Sequence, residues 1–496
     1  MNLALTPAQQ RFLWWLLAAV IVIRAATLAA YPLLDPSESR YAEIARKMLE
    51  TGDWLVPQFD YGVPFWGKPP LAFWLSATSM RIFGVNEFAA RLPSLMLMLG
   101  CGALVYAVAR MHAGRGAALL TLVVFATTGL VFVAGGAVLT DPALAFGTTL
   151  SMTGFWMATQ GPATVRRAGV IGFFLGLAVG LLAKGPVAVV LTMFPIGLWM
   201  LWKRQWRMTW SRLPWIAGTM LVAALVVPWY WAVERATPGF LDYFLIGEHW
   251  KRFIEPGWTG DRYGVAHAWK RGWIWLFWVF AAAPWSIVAI DWLVRAAVAP
   301  RQILRDRLAD PLFGYVLVWT LAPVLFFTAA GNVLPTYVLP GLPAFALLVG
   351  VFGPAARGET RTIDRAEKRA LAACIIMMVV FVGVLVAGHG KIDREFAQRM
   401  LVRSYEAQRT DPGQRLVYLG DEPVSAEFYS NGKAHRVSDA AALAPYLADA
   451  PADFFAMRDD DLSRLPPADR ARLSPLAEYG KFRLLREANS PAVRRE

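Results

Sequence analysis

The stretch FLWWLLAAVIVIRAATLAAY, from Phe12 to Tyr31, decides the class of fold. A helix of about 20 mainly apolar residues is long enough to cross the roughly 30 Å hydrocarbon core of a bilayer. The stretch is too long for a typical secretion signal, is weakly charged in front, and lacks an A-x-A cleavage end. It therefore predicts an uncleaved first membrane span.

Similar apolar runs recur along most of the chain. Of its 496 residues, 57% are hydrophobic and only 17% are charged, which is far too apolar for an ordinary soluble domain. The pattern predicts a mainly α, polytopic membrane protein with about 11 to 13 transmembrane helices. Eleven runs carry this prediction: 12–31, 89–109, 117–136, 138–159, 168–183, 185–202, 213–233, 272–294, 311–330, 333–353 and 370–388.

The formal net charge of +13 has an explanation other than nucleic-acid binding. The basic residues fall in short clusters between the apolar runs, where the positive-inside rule places them in a protein that lies in a bilayer. With a cytoplasmic N-terminus, every inner loop is short and basic, whereas the outer loops are longer and carry mixed charges. The sequence therefore predicts an inner-membrane protein with no nucleic-acid partner.

Two segments outside the spans are predicted to be structured. The first outer loop, residues 32–87, holds a helical pattern from Ser39 to Gly52 and a second apolar piece, Leu71 to Phe83, too short to span. We interpret both pieces as interfacial helices. Residues 1–388 are predicted to form the membrane domain, and residues 389–496 a small α/β domain on the outer face, with strand-like runs at 416–419 and 454–457 and a helix-like stretch at 440–447.

Charged residues next to the apolar runs gather on the predicted outer side. Asp141 and Lys184 are the sharpest cases, because a charge between two spans needs a partner or a polar cavity. Asp141 precedes Pro142 and could also cap the following helix. Lys184 could instead extend to the interface. Lys68 lies between Gly67 and a rigid Pro-Pro pair, which favours phosphate binding over an exposed lysine.

A further cluster follows the seventh run. Glu248 and Arg252 fall within one helical turn, and arginine and lysine suit phosphate. His249 alone is more often structural than a ligand or a base. The five histidines show no H-x-x-x-H spacing, Cys101 and Cys374 sit inside apolar runs, and no phosphate-binding loop opens a helix. No cofactor is predicted, and the sequence leaves a divalent metal open without indicating one.

The motif Ser37-Glu38-Ser39-Arg40-Tyr41, followed by Gly67-Lys68-Pro69-Pro70-Leu71, resembles the first outer loop of bacterial lipid A aminoarabinose transferases. These enzymes belong with the protein O-mannosyltransferases in the GT-C class. Leu139-Thr140-Asp141-Pro142, Ala183-Lys184-Gly185-Pro186 and Leu334-Pro335-Thr336-Tyr337 extend the resemblance through most of the membrane part.

The resemblance implies a set of roles. Arg40, Lys68, Arg252 and Tyr337 would surround the phosphate of a polyprenyl-phosphate sugar, with Lys184 nearby. The carboxylates Glu38, Asp141 and Asp35 would be catalytic candidates, and Tyr41, Glu248 and His249 would contact the substrate. The chain departs from the family at Ser37, where an aspartate is usual, at Gly67, where a glutamate is frequent, and at Asn332-Val333, which replaces a basic residue.

Together, these features predict a membrane glycosyltransferase that moves 4-amino-4-deoxy-L-arabinose or a related sugar from undecaprenyl phosphate. The expected acceptor is lipid A or another molecule on the periplasmic side, and direct attack would invert the anomeric carbon. Cations aimed at the leaving phosphate would supply most of the catalysis. Two alternatives stay open: a protein O-mannosyltransferase, and a transporter or flippase of lipid-linked sugar.

Overall fold

The protein was analysed as a computed structural model that describes residues 2–264, 266–298, 307–353, 360–420, 422–448 and 451–488. It is mainly helical, as predicted. The α-helices are Pro7–Thr27, Ser37–Thr51, Leu71–Phe83, Glu87–Thr127, Gly129–Ala134, Asp141–Gln160, Ala163–Lys184, Val187–Lys203, Trp206–Arg212, Trp215–Ala236, Arg252–Ile254, Trp273–Ala281, Ser286–Val298, Pro311–Thr328, Leu342–Leu347, Arg365–Phe396, Arg399–Gln408, Val424–Tyr429, Ala444–Ala448, Asp459–Arg464 and Pro467–Ala471.

The chain is a multi-span membrane protein, as predicted. Within the described ranges, seven helices are long and apolar enough to cross a membrane, or eight if the bent pair Trp273–Ala281 and Ser286–Arg295 counts as one span. The helix Glu87–Thr127 covers two of the predicted runs with a kink at Gly114. Asp141–Gln160 is not among the candidate spans, and Val187–Lys203 is too short.

The two interfacial helices of the first loop are present. The loop helix, Ser37–Thr51, ends at Gly52, whose φ of 71° is the left-handed conformation that glycine tolerates best. Its N-cap is Pro36, so Ser39 lies inside the helix rather than at its cap. The second helix has the predicted bounds, Leu71–Phe83. Helical packing in the loop brings its apolar residues into one buried cluster that includes Ala42, Ile44, Phe65 and Phe73.

The carboxyl-terminal part contains one five-stranded sheet. Two of its strands, Leu416–Leu419 and Phe454–Met457, have the predicted bounds. The predicted helix at 440–447 is a 3₁₀ turn, Ala441–Leu443, followed by Ala444–Ala448. The strand order is Ala434–Val437, Leu416–Leu419, Phe454–Met457, Phe482–Glu487 and Leu473–Tyr479, with the first three strands parallel and the last two antiparallel to their neighbours.

The shorter elements complete the description. Asp242–Lys251 and Leu348–Phe352 are π-helical, and Pro335–Gly341 is a 3₁₀ helix. A parallel pair joins Asn2–Leu3 to Thr360–Arg361, and an antiparallel pair joins Gln58–Asp60 to Val63–Pro64. The helix Arg365–Phe396 runs through residue 388, where the sequence predicted the end of the membrane domain.

Glycines let two membrane helices approach closely near the predicted site. A Cβ at Gly147 would lie 2.6 Å from the backbone nitrogen of Gly180, and one at Gly154 would lie 2.5 Å from that of Phe173. Contacts this short leave no room for a side chain, as at the small-residue interfaces of membrane helices. The antiparallel pair Asp141–Gln160 and Ala163–Lys184 therefore packs backbone to backbone, with the start of the first helix beside the end of the second.

Candidate functional site

A cavity of about 350 Å³ lies where the first loop meets the membrane helices. We refer to it as the central cavity. Most of its wall is apolar and comes from residues such as Leu191, Phe253 and Phe327. Six of the predicted site residues line it: Lys68, Lys184, Glu248, His249, Arg252 and Tyr337.

Glu248 is the centre of the charged part of the cavity. Its Oε2 atom accepts a hydrogen bond from Lys68 Nζ at 3.0 Å, and its Oε1 atom accepts one from Arg252 Nη1, also at 3.0 Å. Arg252 Nη1 also lies 3.0 Å from Oδ2 of Asp261. The Tyr243 hydroxyl donates to Glu248 at 3.3 Å. The two cations are thus held side by side by acidic partners.

The ionisation of this cluster follows from its burial and its charges. Burial lowers the pKa of the Lys68 ammonium, but the nearby charge of Glu248 more than offsets this, so the pKa lies above its usual value. Burial raises the pKa of Glu248, but Lys68 and Arg252 bring it below its usual value. Both partners are therefore charged at neutral pH.

Lys184 and Asp141 form a second ion pair at the edge of the cavity. Lys184 Nζ lies 2.6 Å from Asp141 Oδ1 and 4.7 Å from the centre of the Tyr337 ring. Asp141 is the first residue of its helix, and Thr140 occupies the cap position without a side-chain hydrogen bond. The expected capping role of Asp141 is therefore wrong, because its carboxylate pairs with the lysine at the end of the neighbouring helix.

His249 and Asn332 fix the backbone around the cations. His249 Nδ1 lies 2.8 Å from the Phe244 carbonyl, and Nε2 lies 3.1 Å from the Lys184 carbonyl. Burial lowers the pKa of His249. The Asn332 amide nitrogen donates to the carbonyls of Arg252, at 2.6 Å, and Glu255, at 2.7 Å. Both side chains therefore position the residues that line the cavity.

Two of the three predicted carboxylates lie elsewhere. Glu38 is buried and accepts hydrogen bonds from Arg91 Nε at 2.7 Å and Arg91 Nη2 at 2.9 Å, and also from the backbone nitrogens of Leu34 and Val138. This bonding occupies both of its oxygens. Asp35 accepts from the backbone nitrogen of Ser425 at 2.9 Å and from that residue's hydroxyl. Burial raises the pKa of Asp35.

Arg40 and Tyr41 do not line the central cavity. The Arg40 guanidinium is 5.8 Å from the centre of the Phe59 ring, and its buried Nε has no hydrogen-bond partner among the described residues. The Tyr41 ring packs 5.8 Å from Phe73, and Tyr41 contributes to the electrostatic environment of Lys68. Of the four predicted phosphate ligands, Lys68, Arg252 and Tyr337 therefore line the cavity. Arg40 does not.

Sequence reasoning missed Asp261 and Asn332, which bond to Arg252, and Arg91, which binds Glu38 outside the cavity. Arg91 is completely buried and also donates to the backbone carbonyls of Leu28, Tyr31 and Pro32. Its position inside the predicted run 89–109 was a usable signal, since a charge within a span needs partners. Within the described ranges, no group of three or more His, Cys, Asp or Glu residues is arranged to hold a metal ion.

Comparisons with known proteins identify relatives of this chain. Residues 11–244 match the family model described as dolichyl-phosphate-mannose-protein mannosyltransferase. The undecaprenyl phosphate-alpha-4-amino-4-deoxy-L-arabinose arabinosyl transferase of Erwinia tasmaniensis is 31% identical over 361 residues, which are 72% of this chain and 60% of that protein. The protein of the same name from Shewanella sediminis is 33% identical over 64% of this chain and 55% of its own length.

The predicted resemblance is confirmed. The chain is related to these arabinosyl transferases, although it spans only about 60% of their length. The crystal structure of ArnT from Cupriavidus metallidurans bound to undecaprenyl phosphate matches 97% of this chain and 99% of its own, with a TM-score of 0.75 and 19% identity. The fold predicted from the sequence, a GT-C membrane domain with a small carboxyl-terminal sheet, is the fold of that protein.

Proposed function

We propose that this protein is a membrane glycosyltransferase that uses a polyprenyl-phosphate sugar as its donor. The observation that carries the proposal is the central cavity, in which an apolar wall meets Lys68, Lys184, Arg252 and Tyr337. A prenyl chain fits the apolar part, and a phosphate fits the cations. The named activity of the relatives supports the same donor chemistry.

The cations would act mainly on the leaving group. An acceptor nucleophile attacks the anomeric carbon, the bond from that carbon to the phosphate oxygen breaks, and the electron pair stays on the lipid phosphate. Lys68 and Arg252, already fixed by Glu248, are pre-organised for this developing charge. Arg40 would join them only after a change in its side-chain position. Direct displacement predicts inversion at the anomeric carbon.

The catalytic carboxylate in this proposal is Asp141. Its partner Lys184 lines the cavity. By contrast, Glu38 forms an ion pair with Arg91, and Asp35 is hydrogen-bonded to Ser425. With a hydroxyl acceptor, Asp141 would remove the proton, which general-base catalysis rewards by about 10²–10⁴-fold. With a phosphate acceptor, which is already anionic, it would stabilise the cation-like sugar. Tyr41, Glu248 and His249 would orient the substrate around it.

The proposed reaction is transfer of 4-amino-4-deoxy-L-arabinose, or a related amino sugar or hexose, to lipid A or another acceptor. It would take place on the periplasmic side of the inner membrane, with the carboxyl-terminal sheet region, predicted as residues 389–496, on the same face. Ser37 and Gly67 stand where the family usually has carboxylates, so the identity of the transferred sugar is to be read from the product by mass spectrometry.

Protein O-mannosylation is the second candidate, because residues 11–244 match a mannosyltransferase family model. The two acceptors are separated by mass spectrometry of lipid A and of envelope proteins from cells with and without the gene. A sugar found only on protein would support protein O-mannosylation. Transport of lipid-linked sugar without transfer is the remaining alternative.

The decisive experiment uses purified protein in nanodiscs with a polyprenyl-phosphate sugar and lipid A. We expect sugar transfer by the parent and at least a tenfold weaker affinity for undecaprenyl phosphate in Lys68→Ala and Arg252→Ala, since each removes a charge-assisted bond. Lys251→Ala, a neighbouring exposed lysine, is the matched control. Unchanged donor affinity in both cavity variants, or donor binding with no transfer to any acceptor, would reject the proposal.

A further inference from the structure

A second cavity lies between the helices Pro7–Thr27 and Glu87–Thr127. Its volume is about 410 Å³, and it shares no lining residue with the central cavity. We refer to it as the Arg24 cavity. Its wall is made of aliphatic and aromatic side chains, and Arg24 is the only charged residue among those that line it.

Arg24 is a buried cation that has no acidic partner among the residues that the structure describes. Its side chain is only 3% exposed, and Nη2 donates to the Tyr31 hydroxyl at 2.8 Å and to the Gly136 carbonyl at 2.6 Å. Nε is buried and has no acceptor, and no carboxylate of the described ranges forms an ion pair with this guanidinium. A charge in a membrane segment is costly unless it is paired, which marks such a residue as functional.

The position of the guanidinium is fixed by the residues around it. Its central carbon lies 5.1 Å from the centre of the Phe132 ring and 5.5 Å from that of Phe381. A Cβ at position 136 would lie 1.3 Å from Nη2, so only glycine leaves room for this arginine. The cation is therefore held at one end of an apolar space rather than free to reach water.

We propose that the Arg24 cavity binds an anionic phospholipid from the bilayer. One hydrocarbon chain would occupy the apolar wall, and the phosphate would accept hydrogen bonds from Arg24, including its unpartnered Nε. The cavity reaches Trp14, which is 51% exposed and lies ten residues before Arg24, or about 15 Å along the helix. In our proposal, a lipid chain enters from the bilayer at this exposed end. The site does not depend on the proposed transfer reaction.

Native mass spectrometry of the full-length protein in detergent tests the proposal. The probes are phosphatidylglycerol, which is anionic, and phosphatidylethanolamine, which is zwitterionic. We expect the parent to retain phosphatidylglycerol preferentially, and Arg24→Gln to bind it at least tenfold more weakly. Arg11→Gln removes an exposed arginine from the same helix and should bind as the parent does. Equal binding of phosphatidylglycerol by the parent and Arg24→Gln would overturn the proposal.

A second variant keeps the proposal testable if Arg24→Gln fails to fold. Ala103 is exposed and lines the cavity, so Ala103→Phe adds bulk to the cavity while Arg24 is retained. It should also lose retention of phosphatidylglycerol. Undecaprenyl phosphate is the third probe, because it carries a phosphate as phosphatidylglycerol does. Binding of undecaprenyl phosphate that needs Arg24, with no dependence of phosphatidylglycerol on Arg24, would overturn the proposal in favour of a second prenyl site.

Discussion

The ammonium of Lys68 donates to the carboxylate of Glu248 at 3.0 Å across 180 residues of sequence. The bond ties the first loop to the π-helical segment Asp242–Lys251. Because Arg252 bonds to the same carboxylate, Glu248 sets the spacing of the two cations. A phosphate that binds both cations must compete with this carboxylate for their hydrogen bonds.

This competition predicts that Glu248→Gln binds undecaprenyl phosphate more tightly than the parent, by about fivefold or more. The variant keeps the shape of the side chain and removes the negative charge next to the phosphate. Isothermal titration measures the affinity. Glu255→Gln, an exposed glutamate in the following segment, is the control and should change little. A loss of affinity as large as that of Lys68→Ala would show that Glu248 is needed to hold the lysine in place.

The Asp141–Lys184 pair predicts a non-additive pattern of stability. Asp141→Asn and Lys184→Met should each lower the free energy of unfolding by about 2–4 kcal/mol, because each leaves a nearly buried charge without its partner. The double variant should recover most of this loss while staying inactive in transfer. Thermal unfolding of the parent, the two single variants and the double variant in detergent measures these differences. Additive losses in the double variant would contradict a direct pairing.

Asn332 is predicted to support phosphate binding by holding the backbone of Arg252 in place. Asn332→Ala removes the two hydrogen bonds that its amide donates to the carbonyls of Arg252 and Glu255. We expect about tenfold weaker binding of undecaprenyl phosphate, with the fold retained. Asn332→Asp keeps the oxygen that accepts from the Gly257 backbone and should also lose affinity. If only the alanine variant lost affinity, the acceptor side of Asn332 would be the important one.

Glu422 predicts a pH dependence of stability. Burial, with the charges of Glu427 and Asp60, raises its pKa from 4.5 to about 7, although Arg436 and Lys47 act in the opposite direction. The folded state therefore holds this proton more tightly, so the contribution of Glu422 to stability is complete below about pH 4.5 and is lost as the pH rises through 7.

Glu422→Gln should therefore stabilise the protein at pH 8, by roughly 1–3 kcal/mol, and have little effect at pH 4.5. Thermal unfolding at both pH values measures the difference. Glu406→Gln, an exposed glutamate in the same part of the chain, should shift neither midpoint. Destabilisation by Glu422→Gln at pH 8 would mean that the carboxylate is charged and paired in the folded state.

Local patterns in the sequence predicted several elements of this fold. Local signals were sufficient for the loop helix, for Leu71–Phe83 and for the strands Leu416–Leu419 and Phe454–Met457. They did not predict how the helix Asp141–Gln160 is packed. Its polar and small residues pack against the helix Ala163–Lys184, so its place in the bundle depends on tertiary contacts.

The site was predictable where a charge interrupts an apolar run, as at Lys184 and Asp141. It was not predictable where the partner of a residue lies far away. Glu38 has the sequence context of a catalytic acid, but Arg91, 53 residues later, occupies its carboxylate. Deciding which of these carboxylates is free to act requires distances that only the folded chain provides.

The loop helix has a consequence for how the protein is made. Lys47 pairs with Glu427 at 2.6 Å, and the backbone nitrogen of Leu33 donates to the Tyr429 hydroxyl at 2.8 Å. With the bond from Asp35 to Ser425, three anchors of the amino-terminal loop come from residues near the other end of the polypeptide. During translation, this loop therefore gains these three contacts only after residues 425–429 have left the ribosome, whereas the membrane helices that precede them can already be inserted.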